Sequence, residues 1–270
     1  MVVFPNAKIN LGLNVTSKRP DGFHDIETLL YPIAFRDILE IIPSETGNLE
    51  FQVTGRKVPG EMMDNLCVRA FDLLAADYQV PPVRMHLHKI IPMGAGLGGG
   101  SSDAAFTITL LNDLFSIGLS TAKMMDYAGR LGSDCAFFIE NRPAFASGRG
   151  DQLDPAKLDL TGYSCIVVVP PIHADTSAAY AGVTPKKPVR PIHSIISMAL
   201  PGWKDHLCND FEKTVFKRFP AIGVIKEQLY SAGAVYSSMS GSGSSVYGIF
   251  RKNIPGPDLF PGCFIWSGSF

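Results

Sequence analysis

A run of glycines and serines carries the clearest chemical signal in the chain. It reads Pro92-Met93-Gly94-Ala95-Gly96-Leu97-Gly98-Gly99-Gly100-Ser101-Ser102-Asp103, follows a predicted strand and opens a predicted helix. Glycines let the backbone adopt positive φ and approach a ligand closely. The unpaired N–H groups at the start of the helix, with the positive end of its dipole behind them, favour an anion. The run therefore predicts a phosphate-binding loop, with a flexible surface turn as the alternative.

Two common phosphate-binding motifs do not describe this run. A Walker loop requires a Lys directly after its last glycine, and this run has Ser101 there. Gly94, Gly96 and Gly99 match G-x-G-x-x-G, but a dinucleotide-binding fold needs a strand after the helix. A second helix is predicted there, at 121–131, so the dinucleotide interpretation is disfavoured.

Three further groups of polar residues could serve the same chemistry. Lys8, Asn10 and Asn14 alternate along a strand predicted at 7–15 and share one face of it, with a solvated face as the alternative. Asp134, which follows a helix-stopping glycine, is either a helix cap or a partly buried base. The loop Ser240–Gly243 is either a plain hairpin or a second nest of N–H groups beside the phosphates.

The histidines and cysteines do not predict a metal centre. His86 and His88 share a face of the strand predicted at 83–91, and packed or solvated side chains are the favoured interpretation. His24 follows a predicted turn and could share a pocket with Lys8. The five cysteines are scattered, odd in number and never spaced as C-x-x-C, so we expect reduced core thiols in a cytoplasmic protein.

The elements that must hold these residues are strands and helices in mixed order. Helices are predicted from a cap at Asp64 or Asn65 to Tyr78, over 101–115, from a Ser120 cap to Gly132, near 209–219 and over 220–231. Further strands are predicted near 26–33, 37–42, 49–55, 163–169, 234–239, 245–250 and 263–267. A composition break at 148–160 predicts domains of 1–155 and 156–270.

Composition excludes several classes of protein. The chain has 270 residues, 46% of them hydrophobic and 18% charged, which excludes a disordered or coiled-coil chain. Twenty-four basic and 25 acidic residues give a net charge of −1, which argues against nucleic acid or an anionic membrane as a partner. No run of 18 apolar residues predicts a membrane span, and the N-terminal residues do not resemble a signal peptide.

The motifs, taken in order, resemble the GHMP kinases. The set comprises Ala7-Lys8-Ile9-Asn10-Leu11, Pro92–Asp103, Gly132-Ser133-Asp134 and Ser240–Gly243. The resemblance is closest to the members of the non-mevalonate isoprenoid pathway that act on a cytidyl sugar alcohol, and it rests there on Arg19-Pro20-Asp21-Gly22-Phe23-His24, Asp64-Asn65-Leu66, Gly148-Arg149-Gly150-Asp151 and Asn209-Asp210-Phe211-Glu212. It implies a two-domain α+β fold with the active site in the cleft between the domains.

The resemblance also implies an activity and a set of site residues. The activity is ATP-dependent phosphorylation of a hydroxyl of 4-diphosphocytidyl-2-C-methyl-D-erythritol, with Mg²⁺ bridging the ATP phosphates and Ser101 or Ser102 as its candidate ligand. Asp134 is the implied general base and Lys8 its charged neighbour. The residues implied for ATP are Asn65, Leu66, Pro92, Met93, Gly94, Ala95, Gly96, Leu97, Gly98, Gly99, Gly100, Ser101 and Ser102. The residues implied for the cytidyl pocket are Asn10, Phe23, His24, Thr176 and Tyr180, and Phe23 stands where the family commonly has Tyr.

Two other functions stay open on the sequence alone. One is a different GHMP small-molecule kinase, of the homoserine or mevalonate type. The other is a ligand-sensing homologue that has lost catalysis, against which the presence of both Lys8 and Asp134 argues.

Overall fold

The computed structural model describes residues 1–251 and 254–270 and confirms the longer predicted elements. The strands are β1 (Val2–Val3), β2 (Asn6–Lys18), β3 (His24–Arg36), β4 (Ile38–Pro43), β5 (Glu50–Gly55), β6 (Val83–Lys89), β7 (Ala144–Ser147), β8 (Gln152–Pro155), β9 (Ser164–Val169), β10 (Tyr236–Met239), β11 (Val246–Phe250) and β12 (Phe264–Ser269). The α-helices are α1 (Leu66–Asp77), α2 (Gly99–Leu114), α3 (Thr121–Leu131), α4 (Phe137–Glu140), α5 (Thr176–Ala181), α6 (Ile192–Ile196), α7 (Glu212–Arg218) and α8 (Pro220–Ser231). Short 3₁₀ helices lie at Met62–Asp64, Leu200–Asp205 and Pro257–Leu259.

The described residues form two compact units, each assembled from separate stretches of sequence. The first comprises Met1–Ala7, Arg36–Met93 and Gly98–Arg142. Its sheet has the strand order β1-β4-β6-β5, with β6 antiparallel to β4 and parallel to β5. Helices α1, α2 and α3 pack against one another, and α2 also contacts β4. The buried side chains of α1 are Cys67, Val68, Ala70, Phe71 and Leu74.

The second unit contains two further sheets and the remaining helices. It comprises Lys8–Phe35, Gly94–Leu97 and Pro143–Phe270. The strand orders of its sheets are β2-β3-β7-β8 and β10-β11-β9-β12. Helix α8 packs against β10 and β11, and the apolar side chains of this unit form a continuous core.

The division predicted at 155/156 differs from the division into units. Strands β2 and β3 lie early in the chain but share a sheet with β7 and β8, with Thr28 opposite Ala146. The composition break begins in the turn of the β7–β8 hairpin, where Gly148 and Gly150 adopt positive φ. The glycines at this point in the sequence belong to a tight turn within one sheet, because glycine adopts these angles without strain.

The differences from the predicted elements are confined to short segments and to some ends. Helices α4, α5 and α6 have four to six residues, too few for an apolar period to show. Helix α2 begins at Gly99 rather than Ser101, because Gly98 at φ 70° serves as its N-cap. The prediction of core thiols is confirmed for Cys67, Cys135 and Cys165 and is wrong for Cys208, which is exposed, and Cys263, which is half-buried. Over the described ranges, no helix has the length and apolarity to span a membrane.

Candidate active site

The glycine run folds as a tight loop that leads into α2. Gly94, Gly96 and Gly98 have φ of 63°, 76° and 70°, the left-handed region that favours glycine. A Cβ atom on Gly96 would lie 2.0 Å from the carbonyl oxygen of Ser240, so glycine is the residue that fits. The first N–H groups of the 16-residue helix α2 have no partner within the helix and remain available to an anion. The run is therefore a closely packed loop and not a loose surface turn.

Lys8 supports this loop from strand β2. Its N–H donates to the carbonyl of Leu97 at 2.9 Å, and its ammonium donates to the carbonyl of Gly96 at 3.1 Å and to Asn10 Oδ1 at 2.5 Å. Lys8 and Asn10 are each 3% exposed, so the alternative of a solvated strand face is wrong for both. Asn10 also donates through Nδ2 to Thr28 Oγ1 at 3.0 Å, which fixes the amide beside the Lys8 ammonium.

The loop of residues 240–245, between β10 and β11, supports the same stretch of glycines and is called the serine loop below. Ser240 Oγ donates to the Gly96 carbonyl at 2.7 Å, and Ser245 Oγ donates to the Ala95 carbonyl at 2.6 Å. Asn209 holds the serine loop in turn, because its Nδ2 donates to the Gly241 carbonyl at 2.8 Å. The N–H of Ser245 also donates to the Ala95 carbonyl, at 3.2 Å. The segment is therefore more than a plain hairpin, because both its side chains and its backbone hold the glycine loop.

Asp134 lies half-buried in the turn between α3 and α4. The N-cap residue of α4 is Ala136, so Asp134 does not occupy the capping position of that helix. The adjacent Cys135 thiol is buried beside the Ser101 hydroxyl, and burial raises the pKa of this thiol to about 11. The thiol is then neutral near pH 7 and does not act as a proton acceptor there.

Two residues implied for the cytidyl pocket form a ring pair. His24 and Tyr180 stack with ring centroids 4.9 Å apart and planes inclined by 22°. The rings of Tyr180 and Phe211 are nearly perpendicular, with centroids 4.7 Å apart, and this contact orients the Tyr180 ring. Rings 4.9 Å apart leave no room for a third ring between them.

The other residues implied for that pocket have separate neighbours. Phe23 is 57% exposed, and the guanidinium of Arg149 lies 5.4 Å from its ring centroid. Thr176, the first residue of α5, shares a 2.8 Å hydroxyl contact with Ser242 of the serine loop. Asn10 belongs to the Lys8 network described above. In the sequence, Arg149 stands out only as part of the motif Gly148-Arg149-Gly150-Asp151, because a lone arginine in a glycine-rich turn gives no further signal.

A buried charged triad lies beneath the start of α2. Lys89 Nζ donates to Asp37 Oδ2 at 2.5 Å and to Asp103 Oδ2 at 2.6 Å, and the Lys89 side chain is fully buried. Asp37 Oδ1 accepts the N–H groups of Ile90 and Ile91 at 2.5 and 2.8 Å. Burial alone lowers the pKa of Lys89, but the two carboxylates outweigh it and raise the pKa above its ordinary value. The triad thus joins the end of β6 to the first turns of α2.

Replacing Lys89 with Met is expected to lower the free energy of unfolding by about 3–5 kcal/mol, because two buried carboxylates lose their cation. Chemical denaturation of both proteins measures the difference. Lys123→Met is the control, because Lys123 forms an exposed pair with Asp126 on α3, and pairs of this kind contribute about 0–1 kcal/mol. Equal, small losses for both variants would contradict a structural role for the triad.

Few of the described side chains could ligate the implied magnesium ion. Within the described ranges, no group of three or more His, Cys, Asp and Glu residues could hold a metal ion. His86 and His88 instead contact the hydroxyl of Thr54 at 2.8 and 2.9 Å, in line with packed histidines. Ser102 Oγ is buried and has no hydrogen-bond partner among the described residues. One such hydroxyl fits Mg²⁺, which takes most of its ligands from phosphates and water.

Comparison with known proteins decides the family. Residues 65–142 match the GHMP kinases N terminal domain, and residues 196–255 match the GHMP kinases C terminal domain. A 4-diphosphocytidyl-2-C-methyl-D-erythritol kinase of Cytophaga hutchinsonii is 52% identical over 261 residues, covering 96% of this chain and 95% of that protein. The chain belongs to this family of GHMP kinases.

Solved structures of GHMP kinases agree with the fold. The crystal structure of a 4-(cytidine 5'-diphospho)-2C-methyl-D-erythritol kinase has a TM-score of 0.83 and 32% identity, covering all of this chain and 98% of the other. Homoserine kinase from Cytophaga hutchinsonii has a TM-score of 0.70 at 14% identity, covering 98% of this chain and 95% of its own, a likeness of fold alone. The predicted α+β GHMP kinase fold and the predicted kinase class are confirmed.

Proposed function

We propose that this chain transfers the γ-phosphoryl group of ATP to a hydroxyl of 4-diphosphocytidyl-2-C-methyl-D-erythritol, in non-mevalonate isoprenoid biosynthesis. The observation that carries the proposal is the 52% identity, along nearly the whole chain, to a kinase with that name. The homoserine and mevalonate kinases compared are structural neighbours of 11–15% identity, which is a likeness of fold alone. A cytoplasmic location belongs to the proposal and is supported by five free thiols.

The proposed chemistry is in-line displacement at the γ-phosphorus. The acceptor hydroxyl oxygen forms a bond to phosphorus, the bond to the β–γ bridging oxygen breaks, and ADP leaves. Asp134 takes the hydroxyl proton as general base. Phosphoryl transfer otherwise requires positioning and neutralisation of spreading negative charge, which the first turn of α2 and the Lys8 ammonium supply.

The remaining predicted site residues have supporting roles in the proposal. Asn65 and Leu66 contact the adenine, and residues 92–102 hold the phosphates. The Ser102 hydroxyl, or that of Ser101, ligates Mg²⁺, which neutralises charge on the phosphates when bound. Tyr180, His24 and Phe23 form the pocket for the cytosine.

A coupled assay for ADP release tests the proposed function. ADP is expected with the cytidyl sugar alcohol as acceptor and not with homoserine, mevalonate or phosphomevalonate. Turnover of homoserine or mevalonate would replace the cytidyl assignment with another kinase of the same fold. Specific binding of the cytidyl substrate without turnover would favour a ligand-sensing homologue.

Tyr180→Ala is expected to raise KM for the cytidyl substrate about tenfold or more, because a stacked base contributes roughly 1–3 kcal/mol. KM for ATP should change little, since ATP is proposed to bind other residues. Steady-state kinetics with each substrate varied in turn measures both constants.

Tyr180→Phe is the matched control, because it keeps the ring that stacks on His24 and removes only the hydroxyl. It should retain nearly the wild-type KM for both substrates. Equal losses for both substrates in Tyr180→Ala, or a large fall in its melting temperature, would assign this ring to packing.

A further inference from the structure

A groove in the second compact unit is lined by three lysines. It lies between helix α7 and the loop that follows α5, and its volume of about 650 Å³ is within the range of small-molecule sites. The loop contributes Lys186, and the helix contributes Lys213 and Lys217. None of the residues implied for ATP or for the cytidyl pocket lines this groove. It is therefore a candidate site for a ligand that the proposed reaction does not use.

Hydrogen bonds fix the walls of the groove. The Thr214 hydroxyl of α7 donates to the Gly182 carbonyl at 2.9 Å, which joins the helix to the loop. The Lys186 N–H donates to the carbonyl of Val15 in β2 at 3.0 Å, and the Val15 N–H donates to Asp210 Oδ2 at 2.8 Å. Because the loop, the helix and β2 are joined in this way, the groove is formed before a ligand binds.

The positive charge of the groove is only partly neutralised. Over residues 1–251 and 254–270, none of the three lysines forms an ion pair. The groove has two carboxylates in its lining, those of Asp210 and Glu212. Glu212 is already paired with Lys226 at 2.6 Å, outside the lining. Three ammonium groups therefore face the single remaining carboxylate of Asp210, and the groove favours an anion.

The spacing of two of the lysines indicates the kind of anion. Lys213 and Lys217 are four residues apart on α7, so they lie on one face of the helix, where like charges destabilise it. An anion between them removes that repulsion. The two phosphoryl groups of a diphosphate are joined by one bridging oxygen, so each can accept hydrogen bonds from one ammonium group of the pair. Lys186 supplies a third ammonium group from the loop.

We propose that this groove binds a diphosphate group, either inorganic pyrophosphate or a diphosphate ester of a small organic molecule. The site is additional to the proposed kinase site. A concave groove with fixed walls fits a small ligand, whereas an acidic protein would need a broad convex or flat surface. Val183, which is half-buried, also lines the groove and offers an apolar contact to the carbon chain of an ester.

Cys208 provides a readout that is specific to this groove. It lines the groove and is exposed, and no residue of the phosphate loop at 92–102 lines the same groove. A bound diphosphate should slow alkylation of Cys208 by iodoacetamide, measured by mass spectrometry of the peptide that contains it. The rate is expected to fall about tenfold at a pyrophosphate concentration about ten times the dissociation constant, because the occupied groove excludes the reagent.

Replacement of lysines tests which groups hold the ligand. Lys213→Gln combined with Lys217→Gln should raise the pyrophosphate concentration for half-protection at least about tenfold, because charge-assisted hydrogen bonds are lost. Lys123→Gln combined with Lys157→Gln is the matched control, since it changes the net charge equally at exposed positions outside the groove. The control should keep the wild-type protection. All four side chains are exposed, so both variants should fold.

Potassium chloride at matched ionic strength should not protect Cys208, because screening alone does not occupy the groove. Equal protection by chloride and pyrophosphate, or wild-type protection in the variant of Lys213 and Lys217, would overturn the inference. So would the absence of protection at about 10 mM pyrophosphate, a concentration that detects even millimolar affinity.

Pentyl diphosphate distinguishes the two sources of the diphosphate group. Protection at a lower concentration than pyrophosphate would support the site and identify an organic ester as its ligand, through contact with Val183. Protection at a higher concentration would support the site and identify the inorganic ion. The alkylation assay requires no phosphoryl transfer, so its result is independent of whether the proposed kinase reaction is observed.

Discussion

Asp134→Asn is expected to lower kcat by roughly 10²–10⁴-fold, the usual effect of losing a positioned general base. An amide keeps the shape of the carboxylate but cannot take the proton of the acceptor hydroxyl. The Cys135 thiol cannot replace it near pH 7, since burial raises the pKa of this thiol to about 11. Single-turnover kinetics with saturating ATP and acceptor measures the chemical step directly.

Binding separates loss of the base from loss of the fold. The dissociation constant for ATP should remain near the wild-type value in Asp134→Asn, because the phosphates are proposed to bind residues 92–102. Asp126→Asn, the same change at an exposed position of α3, serves as the control and should keep the wild-type rate. If Asp134→Asn retained more than about a third of the wild-type rate, the carboxylate would not be the base. Such a loss, about threefold, is far smaller than the roughly 10²–10⁴-fold effect of removing a general base.

The local parts of the site could be predicted from sequence. Positive φ at Gly94, Gly96 and Gly98 follows from residue type, and a strand before the run and a helix after it follow from apolar periodicity. The Ser120 cap of α3 was also predicted and is confirmed. For α1 the prediction was Asp64 or Asn65, and the N-cap residue is Asn65. Each of these features depends on residues close together in the chain.

The supports of the loop could not be predicted, because they depend on distant segments. Ser240 and Ser245 reach the carbonyls of Gly96 and Ala95 across about 150 residues of sequence. The discontinuous units have the same cause, since strand pairing sets them and pairing between distant strands leaves no local pattern. The sequence therefore indicated which residues were unusual and not what held them in place.

The sequence of β6 contains a pattern that indicates a buried lysine, although the charged triad was not predicted from it. Val83, Met85, Leu87 and Lys89 occupy alternate positions of β6 and are all buried, so the lysine continues an apolar face. A lysine on such a face needs a buried counter-charge. Asp103, an acid among the alanines of α2, was the available candidate. Its pairing with Lys89 was thus within reach of pattern reasoning, whereas that of Asp37 was not.

Gly96→Ala is expected to reduce kcat/KM by about 100-fold, because a displacement of about 1 Å in positioning groups has that effect. The new Cβ would lie 2.0 Å from the Ser240 carbonyl oxygen, and Gly96 has a φ of 76° that alanine adopts only with strain. The loop must therefore move away from the serine loop. That movement withdraws the Gly96 carbonyl from Ser240 Oγ and from the Lys8 ammonium, now 2.7 and 3.1 Å away.

Gly129→Ala separates this effect from that of an added methyl group in general. Gly129 is in α3, and apart from its chain neighbours and the backbone of that helix, no atom of the described residues lies within 4 Å of a Cβ placed on it. That variant should therefore be as active as the wild type and slightly more stable. For Gly96→Ala, kinetics are normalised to the folded fraction from circular dichroism, and ATP affinity is measured by titration. A folded variant with unchanged ATP affinity and kcat/KM would mean that the contacts of Lys8 and Ser240 with the loop do not position the phosphates. A loss in both ATP affinity and kcat/KM would mean that the serine loop acts by holding Gly96 against Lys8. Gly96→Ala leaves the chemical groups of the site unaltered, so the loss would come from their positions.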